Sequence, residues 1–148
     1  MALLLGVALP SAALAADLTA AQLFAGGKVM DRESVIVASA KPHDADMCRG
    51  FSLTESQVKD FFRRAAVMAE AVQRRDYQDA PCEVEGHIRY QDQTFLFIIG
   101  AAYTGEIQIG PDKYLYFGCA TCKDMFDYGY LTPPAASTPA PASATLPP

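Results

Sequence analysis

The chain has 148 residues, 51% of them apolar and 20% charged, and a formal net charge of −5. That length suits one domain of the usual size, about 100–200 residues, and leaves little room for a second core. The acidic balance argues against non-specific nucleic-acid binding, which relies on basic patches to draw in phosphates.

The first sixteen residues carry no charged side chain and include the run Leu3-Leu4-Leu5-Gly6-Val7-Ala8-Leu9. A bilayer span needs roughly 20 apolar residues, so this run is too short to be one. Pro10 follows, then Ala13-Leu14-Ala15, a small-x-small pattern of the kind cleaved by signal peptidase. These features predict a signal peptide over residues 1–15 and a mature chain beginning near Ala16, periplasmic or secreted; a buried N-terminal helix is the alternative. Nothing later in the chain resembles a membrane span, so the mature protein is expected to be soluble. At the other end, residues 131–148 are built largely from Pro, Ala, Ser and Thr. Such a segment has too little apolar side chain to offset the entropy of ordering it, and is expected to be a disordered tail.

Residues 16–130 then form the single domain, which has no internal repeat. A short helix is expected over Thr19 to Phe24, ended by Gly26-Gly27, and a strand over Ser34 to Ala38, where β-branched residues cluster. Residues 41–49 are polar, contain Pro42, and read as a loop. A long helix follows. Thr54 is an N-cap with Gln57 three residues on, as in a capping box, and Leu53 with Val58 can form a hydrophobic staple. Val58, Phe61, Phe62, Ala65, Ala69 and Val72 recur at helical spacing and define a core-facing stripe. The period then becomes two: Cys82, Val84, Gly86, Ile88 and Tyr90 alternate with Glu83, Glu85, His87, Arg89 and Gln91, a strand with one dry and one wet face. Further strands are expected over Thr94–Ile99, Gly105–Ile109 and Tyr114–Phe117, with turns at Asp92-Gln93 and Gly110-Pro111-Asp112-Lys113. The expected fold is α+β: an antiparallel meander of four to five strands, one long helix on one face, tied by disulfides.

Four cysteines in a small exported domain point to disulfides. Cys48 and Cys82 flank the long helix, and a bridge between them would stabilise the fold by about 3–4 kcal/mol in the chain-entropy model. Its obstacle is the length of the helix between them. The favoured pairing is Cys48 with Cys82 and Cys119 with Cys122; the rival joins Cys82 to Cys119 or Cys122 across one edge of the meander. Cys119-Ala120-Thr121-Cys122 also raises thiol–disulfide exchange, in which such a pair follows a strand and opens a helix. The strand–helix alternation of redox enzymes is missing, as is the Trp usually beside that pair, so a structural bridge is favoured.

His43, Asp44, Asp46 and Cys48 could suggest a metal, but the spacing fits no zinc or calcium pattern and a solvated loop is expected. No phosphate loop, nucleophile elbow or zinc-protease motif is present, so no catalytic residue, cofactor or metal is assigned. What remains for recognition is the polar strand face of Glu85, His87 and Arg89 and an aromatic edge of Tyr103, Tyr114 and Tyr116. Tyrosine and arginine are enriched at binding hot spots.

Cys48-Arg49-Gly50-Phe51-Ser52-Leu53-Thr54, the Phe61-Phe62 helix, Pro81-Cys82-Glu83-Val84-Glu85-Gly86 and the Cys119-x-x-Cys122 end together resemble a group of small exported bacterial proteins of unknown function. The resemblance covers roughly Cys48 to Cys122. It implies export and a single domain, and transfers no catalytic residue. The functional expectation is an exported interaction module that binds another protein in the envelope or outside the cell, in the manner of an inhibitor or toxin-immunity protein. The alternatives are a redox protein using Cys119 and Cys122, a small-ligand binder, or a structural envelope component.

Overall fold

In a computed structural model of the chain, residues 19–37 and 48–126 are described. The expected signal peptide, the tail and His43, Asp44 and Asp46 lie outside them.

Helix α1 (Ala20–Gly26) starts at a capping box, in which Thr19 accepts from the Gln22 backbone and the Gln22 side chain returns to Thr19. It buries Ala20, Leu23 and Phe24. Strand β1 (Lys28–Ile36) follows directly, beginning six residues before the expected Ser34. Helix α2 (Glu55–Arg64) has the capping box expected of Thr54 and Gln57, and buries Val58, Phe61 and Phe62. Strand β2 (Ala66–Met68) and helix α3 (Glu70–Asp76) come next. A meander then runs through β3 (Cys82–Tyr90), β4 (Gln93–Gly100), β5 (Thr104–Gly110) and β6 (Lys113–Gly118), followed by a 3₁₀ turn at Lys123–Met125.

Two expectations need correction. The sheet has six strands in the order β1-β3-β4-β5-β6-β2, all antiparallel, instead of four to five. The single long helix is two short ones, because residues 66–68 leave the helical path and pair with Tyr116, Phe117 and Gly118 on the edge of β6. Ala65 to Ala69 include no glycine or proline, and α3 is preceded by Ala69, an N-cap that offers no side-chain hydrogen bond. Nothing local signals the break. It is a tertiary effect: edge amides and carbonyls of β6 gain ladder partners, which compensates the helical bonds given up. The stripe accordingly stops at Phe62, with Ala69 exposed and Val72 half-buried.

The detour also moves the chain from one face of the sheet to the other. A Cβ at Gly105 would lie 2.5 Å from Phe61 Cε1, so α2 covers that face. A Cβ at Gly118 would lie 2.4 Å from the Tyr77 ring and 2.5 Å from Met68 Cε. Gly118 neighbours Phe117, the register partner of Gly105, and successive strand residues point to opposite faces. Tyr77 and the end of α3 therefore lie on the outer face, opposite α2.

The core fills the inner face. Phe62 stacks on Phe24 at 4.0 Å between centroids and meets Phe61, Phe97 and Phe117 edge-on. Val84, Ile88, Ile99 and Ile107 complete it, each 1% exposed or less. Gln73 is the one polar residue buried among the described residues, and its amide bonds the Gly105 and Phe117 carbonyls at 3.1 and 2.9 Å.

Both favoured cysteine pairs are at disulfide distance, with Cα atoms 5.2 Å apart for Cys48 and Cys82 and 5.5 Å for Cys119 and Cys122. The obstacle to the first disappears because α2 has only 10 residues and the chain doubles back through β2. Ser34 Oγ donates to Phe51 O and Arg32 Nε to Leu53 O, which holds residues 51–53 beneath β1 and delivers Cys48 to the start of β3.

Candidate functional site

Over β5 and β6 the outer face of the sheet meets Met68, Tyr77 and α3, whereas over β1, β3 and β4 its side chains include exposed groups. The register sets them in rows: Asp31, His87 and Leu96; Glu33, Glu85 and Ile98; and, at one end, Lys28, Arg89 and Thr94. Leu96 and Ile98 are half-buried and form an apolar floor between charged borders. Asp31, Arg32, Glu33, Glu85, Gly86, His87 and Leu96 line a shallow hollow of about 230 Å³.

The hollow is shaped by a β-bulge between Val29 and Asp31. The Asp31 carboxylate accepts the His87 backbone N–H at 2.7 Å and lies 3.0 Å from His87 Nδ1. Hydrogen bonding to His87 holds the Asp31 carboxyl below its ordinary range. A Cβ at Gly86 would sit 2.2 Å from the Asp31 carbonyl, so only glycine lets the two strands approach here.

Like charges gather at the other end of the face. Glu33 and Glu85 stand directly opposite each other, an unfavourable cross-strand pair, with Glu83 two residues along. Burial, then the charges of Glu85 and Glu106, raises the Glu83 carboxyl above its ordinary value. Glu106 is raised by burial and by Glu70, with Arg74 opposing. A carboxyl whose pKa is raised by folding favours the folded state most below its unfolded pKa, about 4.3, and loses that contribution as pH rises through the folded value. Glu83→Gln is therefore expected to raise the melting temperature at pH 7, with the gain fading towards pH 4. Calorimetry across that range checks it, and a constant gain would assign the effect to something other than the charge.

The expected recognition residues divide into three groups. Glu85, His87 and Arg89 share the open face, joined by Asp31, Glu33 and Leu96. Tyr114 and Tyr116 lie on the outer face of β6, rings 6.4 Å apart, but two strands intervene between them and β3, a gap of about 14 Å. Tyr103 is a correction: it is 1% exposed, at the β4–β5 turn, with its ring edge-on to Phe126. Its φ of 67° turns the side chain inward, so it belongs to the core. Asp31 and Glu33 escaped the sequence reading because the start of β1 carries no alternation of apolar and polar residues.

Cys119 and Cys122 are both 0% exposed. The Arg64 guanidinium clasps their turn from α2, donating to Thr121 O and to both Asp124 oxygens while also reaching Asp60. The turn in turn seats Phe126 against Phe51, Phe61 and Tyr103. An attacking thiolate must reach a sulfur, and in this conformation neither is accessible. Among the described residues no three His, Cys, Asp or Glu side chains converge as a metal site, and no helix is long and apolar enough to cross a membrane. Comparison with protein-family models, with curated proteins and with solved structures found no match for this chain.

Proposed function

We propose that this is an exported, non-enzymatic interaction module that binds another protein through the outer face over β1, β3 and β4. The observation that carries the reading is the division of the sheet. Its inner face is committed to the core, whereas Asp31, Glu33, His87 and Arg89 stand exposed around Leu96 and Ile98. An apolar floor inside a charged border is the usual anatomy of a recognition patch. The two cysteine pairs and the apolar N-terminal run support export to an oxidising compartment, and the resemblance to small exported bacterial proteins points the same way. An inhibitor or toxin-immunity role is the form of this reading that the rigid, disulfide-tied sheet suits best. The alternatives, a small-ligand binder, a structural envelope component or a redox protein, have less support, the last because Cys119 and Cys122 are enclosed.

The test begins with protein expressed in a bacterium and recovered from the envelope fraction, where an N-terminus near Ala16 is expected. Affinity capture with this protein should then retain a partner identifiable by mass spectrometry. Arg89→Glu reverses an exposed charge and is expected to weaken partner binding about tenfold while leaving circular dichroism unchanged. A folded Arg89→Glu variant that binds as tightly as wild type would show that this face is not the one used.

A further inference from the structure

We propose that the outer edge of β1 is a strand-addition site for an extended segment of a partner protein. The segment runs antiparallel to β1, with basic side chains opposite Asp31 and Glu33 and an apolar side chain beside Ile36. This rests on the reading of the adjoining face as an interaction surface, and names the chemistry of what it binds.

Three observations meet on this strand. The first is a backbone edge with no partner among the described residues. β1 has nine residues and pairs only with β3, whereas the opposite edge of the sheet is closed by the three-residue β2. Val37 N–H donates to Pro81 O at 2.9 Å, so in an antiparallel ladder Val35 and Glu33 also face β3, while Ile36, Ser34 and Arg32 present N–H and C=O outward. Among the described residues no backbone hydrogen bond reaches that side. Residues 51–53 lie beneath β1 but are held by the Arg32 and Ser34 side chains, which leaves the edge uncovered by the described residues.

The second observation is apolar exposure. Met30 and Ile36, 46% and 47% exposed, are the exposed large hydrophobic residues among those described, and both lie on β1. Ile36 borders a hollow of about 180 Å³ lined also by Ser34, Val35, Phe51 and the Cys48–Cys82 bridge. The third is charge. Asp31 and Glu33 point to the outer face with Glu85 behind them, and Lys28 with Arg89 closes the far end. An added strand places alternate side chains over that row, so lysine or arginine fits the middle and an acidic residue its end.

A second copy of the chain fits less well. A two-fold antiparallel pairing keeps each face on its own side, and the three registers of greatest overlap set Asp31 on Asp31, Arg32 on Arg32 or Glu33 on Glu33. Those contacts oppose self-pairing and admit a partner of complementary pattern.

The probe is a labelled, end-capped peptide, Val-Lys-Val-Lys-Val-Lys-Val-Glu, titrated by fluorescence anisotropy into the full mature protein. Saturable binding is expected, weakened about tenfold by Glu33→Lys in a variant whose circular dichroism matches wild type. Two isomers of the peptide, N-methylated on alternate sets of backbone amides, separate strand addition from charge attraction. Strand addition requires that one isomer lose binding and the other keep it. Equal binding of both isomers overturns the edge site yet leaves the face reading intact. So does absence of peptide binding where Arg89→Glu still weakens the captured partner. Indifference of both peptide and partner to every substitution on the face defeats the two readings together. A concentration-dependent dimer that excludes the peptide assigns the edge to a second copy and overturns the proposal.

Discussion

Replacing Phe61 with alanine is expected to destabilise the domain by about 3–5 kcal/mol, a large share of the roughly 5–15 kcal/mol that holds a typical domain folded. Phe61 is 0% exposed, and its ring lies edge-on to both Phe62 and Phe126. It therefore joins α2 to the segment that follows the Cys119–Cys122 turn, and truncation opens a cavity lined by rings that cannot collapse into it. Gly105→Ala provides the internal control. Its new Cβ would press on Phe61 at 2.5 Å, an overpacking cost of about 1–3 kcal/mol. In the Phe61→Ala background the same methyl group enters vacated space, so the double variant should be more stable than the sum of the two losses implies. Urea unfolding of the four proteins measures the coupling. Strict additivity would mean that Phe61 and Gly105 do not share a contact, and the packing of α2 on β5 described above would be wrong.

Gln73→Glu should cost about 3–5 kcal/mol at pH 7, although the side chains have the same shape. The Gln73 amide gives its two hydrogens to the carbonyls of Gly105 and Phe117, a register pair. A carboxylate has no hydrogen to give and sets a buried negative charge against two carbonyl oxygens. Cys119 N–H bonds Tyr103 O two pairs along, beyond Thr104 and Gly118, which makes Gly105 and Phe117 the next mutually bonded pair of the ladder. Their carbonyls thus retain a partner when the amide is removed, and Gln73→Leu is expected to cost only about 1–2 kcal/mol. The pH dependence distinguishes the two variants. Burial would raise the introduced carboxyl's pKa, so its penalty is largest at neutral pH and shrinks as pH falls towards 4, where protonation restores one donor. The leucine variant should show no such recovery relative to wild type. Equal losses for both variants at pH 7 would mean that Gln73 fills space and does not hydrogen-bond the sheet.

Much of this architecture is legible in the chain because it depends on local periodicity. Thr54 and Gln57 cap α2 as their spacing requires, since a capping box involves only residues three apart. The alternation from Cys82 to Tyr90 and the turn chemistry at Pro111-Asp112 define the meander, whereas the first turn falls at Gln91-Asp92, one residue before the expected Asp92-Gln93, with Gln91 and Asp112 in the left-handed region at φ 53° and 54°. The favoured cysteine pairing could be argued from the positions of Cys48 and Cys82 around one helical segment. Tertiary structure decided what local pattern could not. The break after Arg64 arises where the edge of β6 offers backbone partners, and that edge is brought near only by folding. Val72 continues the helical stripe in sequence, yet Gln73 is the residue buried on α3, because β2 carries the chain to the outer face and changes which side of the helix meets the sheet. Tyr103 reads as an edge tyrosine until a left-handed turn residue points it into the core. The open face follows the same rule. Glu85, His87 and Arg89 were visible as a polar strand face, but Asp31 and Glu33 join them only through the pairing of β1 with β3, a contact between residues more than fifty positions apart that no local pattern encodes.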